Sequence, residues 1–393
     1  MRILYFSRDY TTHEHRFLSA LAKTKHQVGF LRLERRGKAL DDRPLPPQVE
    51  QIPWAGGQSP VGFKDGLRLV VALKKVIRDF KPDLIHAGPL QRSALLVALT
   101  GFHPLVSVSW GYDLLMDAER NHWWRWATQF TLKHSDAFVG DCETIRDLAI
   151  AYGMAADHII TFPWGVDLQH FTPGPSSLRE RLGWDDDSFV LISTRSWSPL
   201  YGVEDLARAF VRVARRRPEM RLLMLGNGPL APKIRRIFMG AKMLDRVHFP
   251  GRVSRANLPD YHRAADLYIS TSHSDGTSIS LLEALACGTP VLLADIPGNR
   301  EWVSPSPPGR GVRGEGKGAR GEGREARDES DIGWLFRDGD VDALADGIIH
   351  AWEQREGLAT MGMAGRHIAE SRANWEKNFP ALLEVYSIAT KGV

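Results

Sequence analysis

Only two cysteines, Cys142 and Cys287, occur in 393 residues. One pair cannot build a disulfide framework, and a reducing cytoplasm is the default for such a chain. No Cys/His spacing of metal-ligand type accompanies them, so no metal site is expected. Long apolar runs are also absent: none approaches the ~20 residues that cross a bilayer. The opening Met1-Arg2-Ile3-Leu4-Tyr5-Phe6 turns polar too soon for a signal peptide and reads as a first strand. Net charge is only +4, yet residues 1–100 carry 17 Lys/Arg against 9 Asp/Glu. That surplus suits an anionic partner such as a membrane surface, nucleic acid or a phosphorylated acceptor, and equally a solvated surface kept soluble by excess charge. With 43% hydrophobic and 25% charged residues, material exists for two to three packed domains.

Short apolar runs alternate with amphipathic stretches of helical length, the mark of an α/β protein with parallel sheets. In the first half, strands are predicted over 2–6, 27–31, 83–87, 105–109, 137–140 and 158–162. Helices are predicted over 16–22, 67–80, 92–100, 123–132 and 144–152. Two prolines, a glycine and two serines within 167–177 break both periods and predict a linker. The alternation then restarts, with strands at 190–194, 221–225, 247–249, 267–270 and 291–294, and helices at 203–213, 231–239, 279–286, 341–352 and 372–386. The expected architecture is two doubly wound domains, 1–170 and 178–370, with a ligand cleft between them. A last segment, 371–393, is expected to return to the first domain through its stripe of Trp375, Phe379, Leu382, Leu383 and Tyr386. Residues 304–331 hold seven glycines, three prolines and equal numbers of basic and acidic residues, which predicts a disordered excursion. Its charges cancel and no aromatic is there to stack on a base, so no nucleic-acid partner is expected.

The most informative stretch is Ser274-Asp275-Gly276-Thr277-Ser278-Ile279-Ser280, leading into Leu281-Leu282-Glu283-Ala284-Leu285-Ala286-Cys287-Gly288-Thr289-Pro290. A polar turn after a strand opens a helix, and unpaired N–H groups over Gly276–Ser280 make an anion site reinforced by the helix dipole. Asp275 and Glu283 could touch different parts of one ligand; equally, the segment could be a capped helix with a solvated glutamate. Phe162-Pro163-Trp164-Gly165-Val166-Asp167, Leu225-Gly226-Asn227-Gly228-Pro229 and Val247-His248-Phe249-Pro250-Gly251-Arg252-Val253 punctuate the chain in order. Together these segments resemble the retaining, GT-B-fold glycosyltransferases of family 4 over most of the chain.

That resemblance implies a metal-independent transferase without a cofactor, moving a sugar from a nucleoside-diphosphate donor to a hydroxyl acceptor. Glu283 would hold the ribose, Gly276, Thr277, Ser278, Ile279 and Ser280 the distal phosphate, and Val253 would lie near the base. Gly226 and Gly228 would form the glycine turn beside the donor, and Arg195 would bind the diphosphate. Two departures stand out: Asp275 replaces a glutamate, and Tyr201 stands where relatives carry a lysine, with Lys233 or Arg235 as replacement charges. In the first domain Trp110 stands where relatives often have histidine. Asp113 is a candidate catalytic group or a helix cap, and Tyr10, His13 and Arg16 are placed on the acceptor side. The rival readings are a nucleotide-sugar 2-epimerase and a binding protein that has lost transfer. Trp123, Trp124 and Trp126 read as core-facing at their helical spacing, with a membrane-interface face as the alternative. The protein is expected in the cytoplasm, with peripheral contact at the inner face of the membrane through its basic N-terminal domain.

Overall fold

A computed structural model describes residues 1–35, 43–303 and 331–391. The chain forms two compact units, one of Met1–Pro163 with Glu376–Val393 and one of Trp164–Trp375.

The first unit is built on a seven-stranded parallel sheet. Its strands are β1 (Arg2–Ser7), β2 (Gln27–Arg32), β3 (Val49–Gln51), β4 (Leu84–Gly88), β5 (Leu105–Val108), β6 (Ala137–Gly140) and β7 (Ile159–Thr161), in the order β3-β2-β1-β4-β5-β6-β7. Tyr5 pairs with Phe30 on one side and His86 on the other. Ile3 to Phe6 are fully buried, as a strand covered on both faces requires, so the run is apolar throughout. Helix α1 (Thr12–Leu21) opens with a capping box between Thr11 and Glu14. Helices α2 (Gly66–Phe80), α3 (Leu95–Thr100), α4 (Tyr112–Leu115), α5 (His122–Lys133) and α6 (Glu143–Ala151) connect the strands from β3 to β7.

The second unit repeats the scheme with β8 (Phe189–Ser193), β9 (Met220–Leu225), β10 (Val247–Gly251), β11 (Leu267–Ser270), β12 (Val291–Ala294) and β13 (Gly333–Phe336), ordered β10-β9-β8-β11-β12-β13. Its helices are α7 (Leu178–Arg181), α8 (Val203–Ala214), α9 (Ala231–Ala241), α10 (Leu258–Arg263), α11 (Ile279–Ala286), α12 (Pro297–Val303), α13 (Val341–Glu353) and α14 (Leu358–Arg372). In each sheet the chain reverses its direction of travel once, at β1/β4 and at β8/β11. In doubly wound sheets the loops leaving the strands diverge at such a point, and ligands bind there.

The 167–177 stretch has no helix or strand, but it is packed rather than free: Phe171 is buried in the core of the second unit. The 304–331 excursion, apart from Asp331, lies outside the described residues. The final helix α15 (Trp375–Lys391) buries Leu382, Val385, Tyr386 and Ala389. Its Tyr386 hydroxyl lies 2.9 Å from His86 Nδ1 in the first unit. The core-facing expectation for the aromatics of α5 is corrected: Trp123 and Trp126 are exposed, because α5 buries Ala127, Thr128, Thr131 and Leu132 instead. None of the described helices is long and apolar enough to cross a membrane.

Candidate functional site

At the β8/β11 reversal, Arg195 leaves the end of β8 and meets the loop that follows β11. Its Nη1 donates to Ser278 Oγ (2.6 Å) and Ser280 Oγ (3.0 Å), and its Nη2 pairs with the Asp275 carboxylate. The Tyr201 ring lies against the guanidinium, 4.3 Å from Cζ to the ring centroid. Tyr268, on β11, brings its hydroxyl within 2.8 Å of Ser280 Oγ. Arg195 is only 11% exposed and Asp275 24%, so the charge pair is shielded from water and correspondingly strong. Burial opposes the arginine's charge, but Asp275, with Tyr268 and Tyr201, more than restores it and the guanidinium pKa is raised. Arg195, Tyr201, Asp275, Ser278 and Ser280, scattered over 86 positions of sequence, are thus one cluster.

Helix α11 begins immediately beyond this loop. Its N-cap residue, Ser278, makes no capping bond to the helix because its hydroxyl is engaged with Arg195. The first-turn N–H groups therefore have no side-chain cap, and the positive end of the helix dipole lies beside the guanidinium. Gly276, Thr277 and Ser278 are buried. Gly298 backs the loop: a Cβ there would stand 2.5 Å from Gly276 O and 2.6 Å from Asp275 O. Glu283 lies one turn into α11, half-buried. Burial pushes the thiol of Cys287, at the end of the same helix, up to about 12.

The glycine turn after β9 supports Arg195 from below. Trp197 N donates to Asn227 O (3.1 Å), Leu230 N to Trp197 O (3.0 Å), and Trp197 Nε1 to Leu225 O (2.8 Å). Such close backbone contact needs glycine. A Cβ on Gly228 would be 2.4 Å from Trp197 O, and Gly226 has φ +90° with Arg195 O 2.9 Å from its Cβ position. Lys233 does not reach the cluster: its Nζ pairs with Glu204 at 2.7 Å, across from α9 to α8. Arg235 instead lies over Phe249. Val253 is half-buried against the core on the loop after β10.

In the first unit, Asp113 is completely buried. Its Oδ1 accepts from Ser109 Oγ (2.5 Å) and Trp110 N (3.1 Å), and its Oδ2 from Leu90 N (3.0 Å). Burial raises its pKa to about 6 against the pull of these bonds. Both oxygens face protein, so the carboxylate ties the turns after β4 and β5 together and does not present itself to a ligand. The Trp110 ring lies 5.2 Å from that of His13 and edge-on to Phe17 at 5.8 Å. Burial, then the charge of Arg16, lowers His13 to about 4, leaving a neutral imidazole at pH 7. The Tyr10 hydroxyl is 2.7 Å from His15 Nδ1 and donates to Pro44 O at 3.1 Å. Sequence reasoning gave no role to Trp197 or Tyr268. It also missed Glu34, buried at 0% exposure and paired with Arg8 at 2.5 Å.

Two sequence families divide the chain as the two units do. The family described as Glycosyltransferase Family 4 matches residues 11–170, and that described as Glycosyl transferases group 1 matches residues 176–312. The chain belongs to glycosyltransferase family 4. A D-inositol 3-phosphate glycosyltransferase of Xylanimonas cellulosilytica is 31% identical over 270 residues, 65% of this chain and 58% of that protein. A GDP-mannose-dependent monoacylated alpha-(1-6)-phosphatidylinositol monomannoside mannosyltransferase of Corynebacterium glutamicum is 27% identical over 246 residues, 59% of this chain and 57% of that one. The family 4 chain therefore spans less than three fifths of the length of these relatives. Among solved structures, Anabaena HepE in complex with UDP superposes with a TM-score of 0.74 at 20% identity, covering 98% of this chain and 100% of HepE. A sucrose-phosphate synthase from Thermosynechococcus elongatus gives 0.76 at 18% identity over 100% of both chains. These likenesses establish the fold, two Rossmann-like α/β domains of the GT-B type.

Proposed function

We propose that the protein is a retaining glycosyltransferase that moves a sugar from a nucleoside-diphosphate sugar to a hydroxyl acceptor on a glycan, a lipid-linked carrier or a small molecule. One observation carries the reading: Arg195, held by Ser278, Ser280 and Asp275, stands beside the uncapped N-terminus of α11. The named activities of the two relatives and the UDP bound to HepE support it.

In this reading the donor diphosphate displaces Asp275 from Arg195, and the freed carboxylate turns to the hydroxyls of the transferred sugar. Arg195 and the N–H groups of Gly276–Ser280 then stabilise the diphosphate as it departs with growing negative charge; one preorganised donor of this kind is worth ~3 kcal/mol. The Tyr201 hydroxyl adds a neutral contact, Glu283 holds the ribose, and the base lies toward Val253. Positive potential comes from the arginine and the helix end, so the proposal includes no metal and no cofactor. Tyr10, His13, Arg16 and Trp110 form the acceptor side, and Asp113 positions Trp110 without touching substrate. The setting proposed is cytoplasmic, with peripheral contact at the inner face of the membrane.

Calorimetric titration tests the central claim. Arg195→Ala should weaken UDP or GDP binding roughly 30- to 100-fold, within the range for truncating one partner of a buried charge pair, and leave uridine or guanosine binding nearly unchanged. Equal losses for nucleoside and diphosphate would remove Arg195 from the phosphate site. Release of free nucleoside diphosphate from a panel of nucleotide sugars supports a transferase; tight binding with no turnover supports the binding-protein reading.

A further inference from the structure

The outward side of the α2–α3–α5 layer is unusual for a solvated surface. Leu67 and Val71 on α2 are 80% and 63% exposed, Leu99 on α3 40%, and Trp123 and Trp126 on α5 37% and 46%. All three helices pack on one side of the first sheet, α2 against α3 and α3 against α5. Along α5 the aromatics form a continuous ridge: Trp123 to Trp126 at 6.3 Å, Trp126 to Phe130 at 5.2 Å, and Phe130 to His134 at 4.1 Å between ring centroids. Side chains this large and this apolar gain nothing from water, and indole rings favour the boundary between hydrocarbon and headgroup.

The charges beside them have one dominant sign. Lys74 and Lys75 are exposed on the same helix as Leu67 and Val71, as is Arg78, which pairs with Asp79 at 3.5 Å, and Arg92 and Arg120 stack on Trp124 at 5.3 and 5.2 Å. Glu119, in the turn that precedes α5, is already answered by Arg125 and the Tyr152 hydroxyl. Apolar groups flanked by cations, with the nearby glutamate neutralised, match an anionic lipid surface: rings enter the interface while lysines and arginines stay among the headgroups.

We propose that the outward face of α2, α3 and α5 docks the protein on anionic bilayers. The inference is independent of the donor site, because none of these residues belongs to the Arg195 cluster. Cosedimentation of the full chain with vesicles tests it, using phosphatidylcholine alone and phosphatidylcholine containing about 30% phosphatidylglycerol. Binding is expected only to the anionic vesicles, and it should weaken as salt is raised. The Trp123→Ala/Trp126→Ala variant should lose roughly tenfold in partitioning by loss of interfacial aromatics, and Lys74→Glu/Lys75→Glu a comparable amount by charge reversal. Both variants should retain the melting temperature and the UDP or GDP affinity of the parent, which separates failure of docking from failure of the donor site. Wild-type binding by the tryptophan variant, or no binding to anionic vesicles at all, would overturn the proposal. So would a dimer in sedimentation velocity that the tryptophan substitutions abolish, since the face would then belong to a second copy.

Discussion

Asp275 holds Arg195, and that pairing has two opposite effects. It neutralises a nearly buried guanidinium, and it occupies the donors a phosphate would use. Asp275→Asn should therefore lower stability by about 1–2 kcal/mol, less than a fully buried pair because both partners retain some exposure. It should also tighten UDP or GDP binding severalfold while reducing turnover; thermal melts and titration read the first two effects directly. Full turnover in this variant would end the claim that the carboxylate contacts the transferred sugar. Asp113 makes a second residue-scale case. Its pKa is raised to about 6 from an ordinary 3.8, so the folded state binds its proton more tightly than the unfolded chain. Stability from this group is greatest below about pH 4 and declines as pH rises to about 6, by up to ~3 kcal/mol for two pKa units. Asp113→Asn should remove that dependence, so the difference in stability between parent and variant should change over pH 4–6 and be flat above it. The polar turn that holds Asp275, Ser278 and Ser280 was legible at this scale, because such a turn between a strand and an apolar helix can be read from residue types alone. The pairing of Lys233 with Glu204 was not legible, because position on a helix does not reveal the residues of the neighbouring one. Asp113 as a buried tie and Trp197 as a prop for the glycine turn arise from backbone segments brought together only by folding.

Among the elements, the long apolar strands were readable and the atypical ones were not. Strand β3 has three residues, too few to show a period. Strand β13 emerges directly from the glycine-rich excursion. Helix α14 carries Gly362 and Gly365, which interrupt its pattern, and the reason is packing. A Cβ on Gly362 would stand 2.0 Å from Gly288 O, at the turn that ends α11. Gly362→Ala should thus cost about 3 kcal/mol by overpacking, despite the gain of up to ~1 kcal/mol that alanine normally brings to a helix. Gly240, near the end of α9, has nothing within 4 Å of its Cβ position. Gly240→Ala should instead stabilise by about 0.5–1 kcal/mol. Thermal denaturation of the two variants gives shifts of opposite sign if these contacts are as described; a loss in both would indicate that local helix geometry, not the Gly288 contact, governs them.

For the whole molecule, the α/β alternation and its restart predicted two parallel-sheet units. What they left unspecified was how the irregular segments pack, since neither period nor composition shows that Phe171 is buried in the second core. The units also differ in continuity along the chain. The second is one uninterrupted stretch, Trp164–Trp375, whereas the first is completed only by Glu376–Val393. During synthesis the second unit can therefore finish folding while the first still lacks α15. Until that helix arrives, His86 lacks the Tyr386 hydroxyl and the apolar surface that receives Leu382 and Val385 is uncovered. The half made first is then the half finished last, and it must stay soluble on the ribosome for the time taken to make more than two hundred further residues.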